Sequence, residues 1–200
     1  RNASTDGLRI VYHAGGDIYL LDPSNGNHMR LEIDFNSPKI QASRKFVSAS
    51  NGFQDYTLNQ DASLVALNVR GKPIAFGAWE GPVYQQGDRQ GVRYQHINFH
   101  SDSKRIVVVS DKGGSERLEI HNIKESKRPL VLSDLDIGRP SQMKLSPTEN
   151  LAAIVNHRNE LLIVNLNKKS LKVVDRSKHN IIDGFDWSPD SRYIAYSCSE

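Results

Sequence analysis

The sequence predicts an all-β protein assembled from a repeated four-stranded unit, and three observations support this prediction. First, short β-prone runs alternate with turn-forming residues, as in Phe185 to Trp187, the turn Ser188-Pro189-Asp190-Ser191 and Tyr193 to Tyr196. Second, this corner, in which a tight turn joins two strands, recurs upstream. Third, no amphipathic helical pattern of useful length competes with the strands.

The repeat can be measured at the acidic position of each turn. This position is occupied by Asp in four turns and by Thr in one. The residues are Asp6, Asp61, Asp102, Thr148 and Asp190, which are separated by 55, 41, 46 and 42 residues. A period of about 40–50 residues with four strands per unit is typical of β-propeller blades, which bury one another's apolar rows. We therefore predict blades of four antiparallel strands, with corner Ser and Asp side chains bonded to local backbone. Six side chains are expected between blades: Val107, Val109, Ile154, Ile163, Ile194 and Tyr196.

The strands follow in chain order. The first unit has a turn at residues 4–7 with no strand before it, and then strands at 8–13, 17–21 and 28–33. The complete units have strands at 53–58, 64–69, 74–79 and 83–86; at 94–99, 105–110, 117–122 and 129–132; and at 141–145, 151–156, 160–165 and 171–175. The fifth unit holds only the corner described above. These units predict an incomplete fragment of a larger propeller assembly, with exposed apolar blade faces that favour self-association or contact with further chain.

The first interval is longer than the others, and its excess lies in the polar, turn-rich residues 34–52. We interpret this segment as a connection between two propellers. Residues 1–33 would then be the last blade of a first propeller, and residues 53–200 the first blades of a second. The alternative is a decorated loop inside one propeller.

Composition narrows the function classes. The chain has 26 Lys and Arg residues and 23 Asp and Glu residues, which gives a net charge of +3. These charges are scattered and form no long run of one sign, so they do not indicate nucleic-acid binding. No stretch approaches the roughly 18 apolar residues of a membrane span. The single cysteine, Cys198, permits no internal disulfide, and its β-prone surroundings predict a small buried residue. Residues 1–7 lack the features of a signal peptide and suggest a cut inside a longer chain.

Three corners and one blade segment carry a resemblance to known propellers. Ser188 to Tyr196 resembles the Ser-Pro-Asp-(Gly/Ser)-(Lys/Arg)-x-Ile-Ala corner of TolB-like and tricorn-like propellers, and Ser146 to Glu149 and Ser101 to Ile106 match it in part. Gly113 to Ile120 resembles a blade of the tricorn proteases.

The resemblance to the tricorn protease family extends over nearly the whole chain. Arg9 to Asp22 resembles the blade that ends the six-bladed propeller of that family. Arg44 to Val47, Phe53 to Gly71 and Pro73 to Phe76 resemble the start of its seven-bladed propeller.

This resemblance implies a non-catalytic propeller portion of a large cytoplasmic serine peptidase that degrades oligopeptides. In that family the seven-bladed propeller is thought to filter substrate and the six-bladed one to guide product. The implied partners are oligopeptides, the missing domains of the same chain and further copies in a homo-oligomer, with no cofactor, nucleic acid or membrane. The family's catalytic residues lie beyond the last residue here. The alternatives are a TolB-like protein-interaction propeller and the propeller of a prolyl-oligopeptidase-like enzyme.

The residues themselves indicate no catalytic or metal site. A Gly-x-Ser-x-Gly elbow is missing, and the serines lie in turns. On a strand, His96 and His100 share a face with Asn98, but no Cys or acidic cluster joins them. Trp79 and Trp187 are expected to pack between blades.

The remaining candidate site is a channel lined by the first strand of each blade. Polar residues there could contact a threading peptide, although which alternate set faces inward depends on strand register. The candidates are Gln54, Tyr56, His96, Asn98, Gln142, Lys144, Asp183 and Asp186. The alternative is a water-filled hole without selected contacts.

Overall fold

A computed structural model describes residues 3–14, 16–34, 48, 51–125, 127–132, 134–178 and 180–198. Contacts divide the chain into two compact units, Arg1–Phe46 and Val47–Glu200. The predicted connecting segment at 34–52 lies largely outside the described residues. Across the described ranges, no helix is long and apolar enough to cross a membrane.

The first unit contains one antiparallel sheet whose strands keep chain order. Its strands are β1 (Ser4–Thr5), β2 (Ile10–Ala14), β3 (Asp17–Leu21) and β4 (His28–Arg30). The sequence prediction placed Ser4 and Thr5 in a turn and found no strand before it. That prediction is wrong, because these two residues pair with Val11 and Ile10 of β2 and complete a four-stranded sheet.

The second unit contains three four-stranded antiparallel sheets and one two-stranded sheet, again in chain order. The sheets are β5 (Phe53–Leu58), β6 (Leu64–Val69), β7 (Lys72–Gly77) and β8 (Tyr84–Gln85); β9 (Tyr94–Phe99), β10 (Arg105–Ser110), β11 (Arg117–Asn122) and β12 (Leu130–Leu132); β13 (Pro140–Leu145), β14 (Leu151–Asn156), β15 (Glu160–Asn165) and β16 (Ser170–Arg176); and β17 (Ile182–Trp187) with β18 (Ile194–Cys198). The predicted strands are confirmed: seven have the same bounds in the structure, and the ends of the others shift by at most three residues. We call each sheet a blade and its first strand the inner strand.

The inner strands of consecutive blades lie beside one another: β5 beside β9, β9 beside β13, and β13 beside β17. Each inner strand also carries a β-bulge or register shift where it pairs with the second strand of its blade. A bulge inserts one unpaired residue and redirects the neighbouring side chains. The irregularity therefore breaks simple alternation in all four inner strands, near the strand start in β5, β13 and β17 and one or two residues later in β9.

Apolar side chains from neighbouring blades form shared cores. Val107 and Val109 of β10 join Ile154 of β14 in one buried cluster. Ile163 and Ile194 pack against a second cluster that links the third and fourth blades of this unit. The predicted packing between blades is confirmed for these residues. Tyr196 remains 43% exposed, and its hydroxyl donates to Asp175 of the adjacent blade at 2.6 Å.

Two expectations for single side chains are wrong. Trp79 was expected to pack between blades but is 96% exposed, because β7 ends at Gly77 and leaves Trp79 in the following turn. Cys198 was expected to be buried but is exposed at the end of β18. Among the described residues no third strand pairs with β18, so its outer edge stays uncovered.

Acidic side chains stabilise the corners between inner and second strands, as predicted. Oδ1 of Asp102 accepts the backbone N–H groups of Lys104 and Arg105 at 2.9 and 3.1 Å. Asp61 and Asp190 likewise accept backbone N–H groups two residues ahead, from Ser63 and Arg192, each at 3.1 Å. These bonds hold the backbone in the turn that starts the second strand.

We expect Asp102→Ala to lower the free energy of unfolding of its blade by about 1 kcal/mol, because two turn N–H groups lose their acceptor. Nε of Arg105 also loses a carboxylate at 2.6 Å. The measurement is hydrogen exchange of β9 and β10 amides in the full-length protein. Lys104→Ala, an exposed change in the same turn, is the control and should leave exchange unaltered. Equal exchange in both variants would contradict the assigned role of Asp102.

Candidate functional site

The inner strands border an open polar cleft of about 380 Å³, which we call the inner-strand cleft. Residues from the first three blades of the second unit line it. They are Gln54, Asp55, Asn68, Arg93, Gln95, His96, Ser141, Gln142, Met143 and Lys144. The lining offers amides, hydroxyl groups, carboxylate and cations, which can exchange hydrogen bonds with the backbone of an extended peptide.

Four of the eight residues predicted from the sequence line this cleft: Gln54, His96, Gln142 and Lys144. Asn98, Asp183 and Asp186 lie on the inner strands but outside the lining. Tyr56 also lies outside it and is 63% exposed. Whether any of these side chains contacts a peptide stays a prediction.

Several of the predicted residues connect consecutive inner strands. Nδ2 of Asn98 donates to the Met143 carbonyl at 3.1 Å, and Nε2 of Gln142 donates to the Asp183 carbonyl at 2.7 Å. Nζ of Lys144 donates to Oδ2 of Asp186 at 2.9 Å, and this bond lowers the pKa of Asp186. These side chains hold neighbouring blades together at the wall of the cleft.

Tyr56 occupies a position that is buried in the following blades. Counted back from the end of each inner strand, it corresponds to Ile97, Met143 and Phe185. Those three side chains are at most 6% exposed. This register favours packing of Tyr56 against another blade.

The cleft contains polar groups that the sequence prediction missed. Asn68 is 1% exposed and donates through Nδ2 to the Tyr94 carbonyl at 2.6 Å. Its Oδ1 is buried and has no hydrogen-bond partner in the described part of the chain. Burial raises the pKa of the neighbouring Asp55 carboxyl. A buried polar atom without a partner is costly, so it marks a place that a hydrogen-bond donor could satisfy.

The signal for Asn68 is visible only after the blades are aligned by strand register. The corresponding positions in the next two blades hold Val109 and Val155, both 1% exposed. A buried asparagine thus replaces a buried valine at one place in the repeat. Sequence reasoning overlooked it because it considered inner strands alone.

The two histidines considered for metal binding do not act together. Nε2 of His96 lies 3.2 Å from the Pro140 carbonyl oxygen, and His96 has a φ of 52° in the region of the bulge. His100 is buried beside the Arg105 guanidinium at its own corner, and burial lowers its pKa. Within the described ranges, no group of three or more His, Cys, Asp or Glu residues could hold a metal ion.

A second cavity, of about 830 Å³, adjoins the cleft, and Arg93 and Gln95 line both. Arg139 of the next blade and Glu116 of the β10–β11 hairpin also line it. Gly113 and Gly114 form the predicted turn of this hairpin, with φ values of 91° and 88°. The sequence prediction overlooked both arginines because they precede their inner strands by one residue.

The consecutive four-stranded antiparallel sheets, their adjacent inner strands and their shared apolar cores define the class of the protein as a β-propeller. Residues 53–200 match a family model described as the tricorn protease second beta propeller domain. The chain therefore belongs to the tricorn protease family.

Curated relatives agree with this assignment. The chain is 33% identical over 202 residues to a tricorn-like protease C-terminal subunit of Sulfurisphaera tokodaii, covering 100% of the chain and 22% of that protein. It is 30% identical over 208 residues to a tricorn protease homolog of Saccharolobus solfataricus, covering 100% of the chain and 18% of that protein. The chain thus spans about a fifth of the length of these relatives.

Two solved structures show the same fold. The crystal structure of the tricorn protease has a TM-score of 0.66 and 24% identity, and covers 98% of this chain and 18% of that chain. TolB from Acinetobacter baumannii has a TM-score of 0.57 and 17% identity, and covers 98% of this chain and 47% of that chain. The expected likeness to both tricorn and TolB propellers is confirmed.

Proposed function

We propose that this chain is a non-catalytic propeller portion of a tricorn-type serine peptidase and that it controls the passage of oligopeptides to and from the catalytic region. The inner-strand cleft is the observation that supports this role. Its lining is polar, as an extended peptide backbone requires, and residues from three blades contribute to it. The family membership supplies the peptidase context.

The proposal includes an assignment of domains. Residues 1–33 would be the last blade of a first, six-bladed propeller, 34–52 a connection, and 53–200 the first blades of a second, seven-bladed propeller. The second unit exposes Phe53, Tyr56 and Leu58 at 49%, 63% and 51% on its first inner strand. Further blades of the same protein would cover these side chains. The parent enzyme would be cytoplasmic and homo-oligomeric.

A length-dependent assay tests the proposed passage of peptides. In the full-length protein, Ser141→Trp adds bulk to the wall of the inner-strand cleft. We expect kcat/KM for a peptide of about ten residues to fall several-fold, because an extended chain needs about 3.3 Å of path per residue and must pass the narrowed part. A substrate of two or three residues should be cleaved at nearly the wild-type rate.

Lys172→Trp, on the exposed face of the outer strand β16, is the matched control and should leave both rates unchanged. Circular dichroism and exchange of the β13 amides verify that the Ser141 variant is folded. Equal losses for long and short substrates, or no loss for either, would count against a role in peptide passage.

A further inference from the structure

The outer strand of the blade formed by β13 to β16 is longer than the other outer strands. Strand β16 has seven residues, Ser170–Arg176, whereas β4, β8 and β12 have three, two and three residues. It is the last strand of its sheet, and among the described residues no strand pairs with its outer edge. A short edge strand offers few backbone groups to another chain, so β16 is the outer strand with the most to offer.

Closure of a propeller ring would leave this edge uncovered. Neighbouring blades of the second unit pack through their faces, as the shared cluster with Val107 and Ile154 shows, and their inner strands lie side by side. Further blades added in the same way would cover faces, and the outer strands would stay on the circumference of the ring. The edge of β16 is therefore a surface that the propeller fold itself does not use.

Four exposed lysines surround this edge. They are Lys168 and Lys169 in the hairpin before β16, Lys172 within the strand and Lys178 just after it. In the part of the chain that the structure describes, none of the four forms an ion pair. The edge therefore carries positive charge that remains available to a partner.

The side chains of β16 differ between its two faces. Leu171 and Val173 lie opposite members of the buried apolar cluster on β15, whereas Lys172 lies on the other face. Val173 is 45% exposed, so it can still gain an apolar contact. A register shift beyond Val173 ends the regular part of the strand, which leaves Ser170–Val173 open to regular pairing. An added strand would place alternate side chains beside Val173 and beside Lys172.

The lysines restrict what could pair with this edge. Two copies of β16 side by side would bring Lys172 close to identical charges, which is unfavourable. A nucleic acid would be attracted by the lysines but could not continue the ladder of backbone hydrogen bonds. An acidic strand has the opposite charge, can pair through its backbone and can pack an apolar side chain against Val173. The charge and the uncovered backbone together favour an extended, acidic protein segment.

We propose that the outer edge of β16 is a docking site for an acidic segment of a partner protein, which adds a fifth strand to this blade. The segment pairs with Ser170–Val173, places an apolar side chain against Val173 and places an acidic side chain beside Lys172. Lys168 and Lys178 attract acidic residues that flank the paired stretch. This docking is separate from the passage of oligopeptides along the inner strands.

A designed peptide tests the site in the full-length protein. The probe is the capped, fluorescently labelled peptide Glu-Val-Glu-Val-Glu-Val-Glu, whose affinity is measured by fluorescence anisotropy. Hydrogen exchange read by mass spectrometry locates the bound peptide. We expect the peptide to slow exchange of the β16 amides several-fold, because the added strand supplies their missing hydrogen-bond partners. Exchange of β12, the outer strand of the preceding blade, should not change.

Three related probes separate strand pairing from attraction by charge alone. The first has Lys in place of Glu, and the second is the acidic peptide with every backbone nitrogen methylated, which keeps the charge but removes the N–H donors. The third is an oligothymidylate with the same net charge as the acidic peptide. We expect each of the three to bind at least about tenfold more weakly than the acidic peptide.

Charge reversal at the edge completes the test. Lys168→Glu combined with Lys172→Glu should raise the Kd of the acidic peptide about tenfold, because two attractive contacts become repulsive. Lys104→Glu combined with Lys124→Glu is the matched control, since it changes the net charge equally at exposed positions outside the outer strands. This control should leave the Kd nearly unchanged. Circular dichroism verifies that both variants are folded.

Three results would overturn the docking site. They are unaltered exchange of β16 in the presence of the acidic peptide, equally tight binding of the methylated peptide or the oligothymidylate, and equal Kd values in the two charge-reversed variants. None of them bears on the length-dependent cleavage assay, which probes the inner-strand cleft. A failure of that assay would likewise leave the docking site standing.

Discussion

Replacing Glu160 with glutamine is expected to destabilise its blade by about 2–4 kcal/mol, because a buried charge network loses its central anion. Glu160 is 2% exposed at the start of β15. Its carboxylate accepts bonds from Nδ2 of Asn156 at 2.7 Å and Nε of Arg158 at 2.8 Å, and from Arg176 of β16. The change would leave Asn156, itself 2% exposed, with a weaker partner. Hydrogen exchange of β15 and β16 amides in the full-length protein measures the loss.

The effect has a defined pH dependence. Burial alone would raise the pKa of Glu160, but the bonds from Asn156, Arg176 and Arg158 lower it from 4.5 to about 2. A lowered folded-state pKa means that the stabilisation is fully present above about pH 4.5 and is lost as the pH falls towards 2. The difference between wild type and Glu160→Gln should therefore shrink over this interval. Glu149→Gln, at an exposed turn, is the control, and a difference that stayed constant down to pH 2 would contradict the assigned network.

The propeller fold was predictable because local signals repeat. Each corner combines a β-prone pair of strands with a turn whose acidic residue bonds nearby backbone, and these interactions are short-range in sequence. The prediction failed at some strand ends, where the structure depends on more than the local sequence pattern. Ser4 and Thr5 read as turn residues, yet pairing with β2 makes them a strand. Trp79 read as a packing residue, yet a strand that ends at Gly77 exposes it.

The candidate site was less predictable because bulges break the alternation of side chains. A strict two-residue period placed His96, Asn98 and His100 on one face. In the structure, His96 and Asn98 contact β13, whereas His100 interacts with Arg105 of its own corner. Four of the eight predicted residues line the cleft. The prediction considered inner strands alone, so it missed Asn68 on the second strand β6, and Arg93 and Arg139, which precede their inner strands by one residue.

The blades depend on one another for burial, and Leu162 gives the sharpest test of that dependence. We expect Leu162→Ala to cost about 2–5 kcal/mol, because the removed atoms leave a cavity in a fully packed core. Leu162 is 0% exposed on β15. Its cluster includes Val107 of β10 and Leu118 of β11, which belong to the preceding blade. Hydrogen exchange of the two blades in the full-length protein is the measurement.

If the two blades share this cluster as one core, a cavity in it must destabilise both blades. Amides of β10 should then lose protection together with those of β14 and β15, although the substituted residue belongs to only one sheet. Val173→Ala is the matched control, because Val173 is 45% exposed on the outer strand β16 and should cost well under 1 kcal/mol. Loss confined to β14 and β15 would mean that each blade is stabilised independently. A joint loss would instead show that neighbouring blades stabilise each other through their packed faces. The tolerance of a position to substitution would then depend on which blade follows or precedes it along the chain.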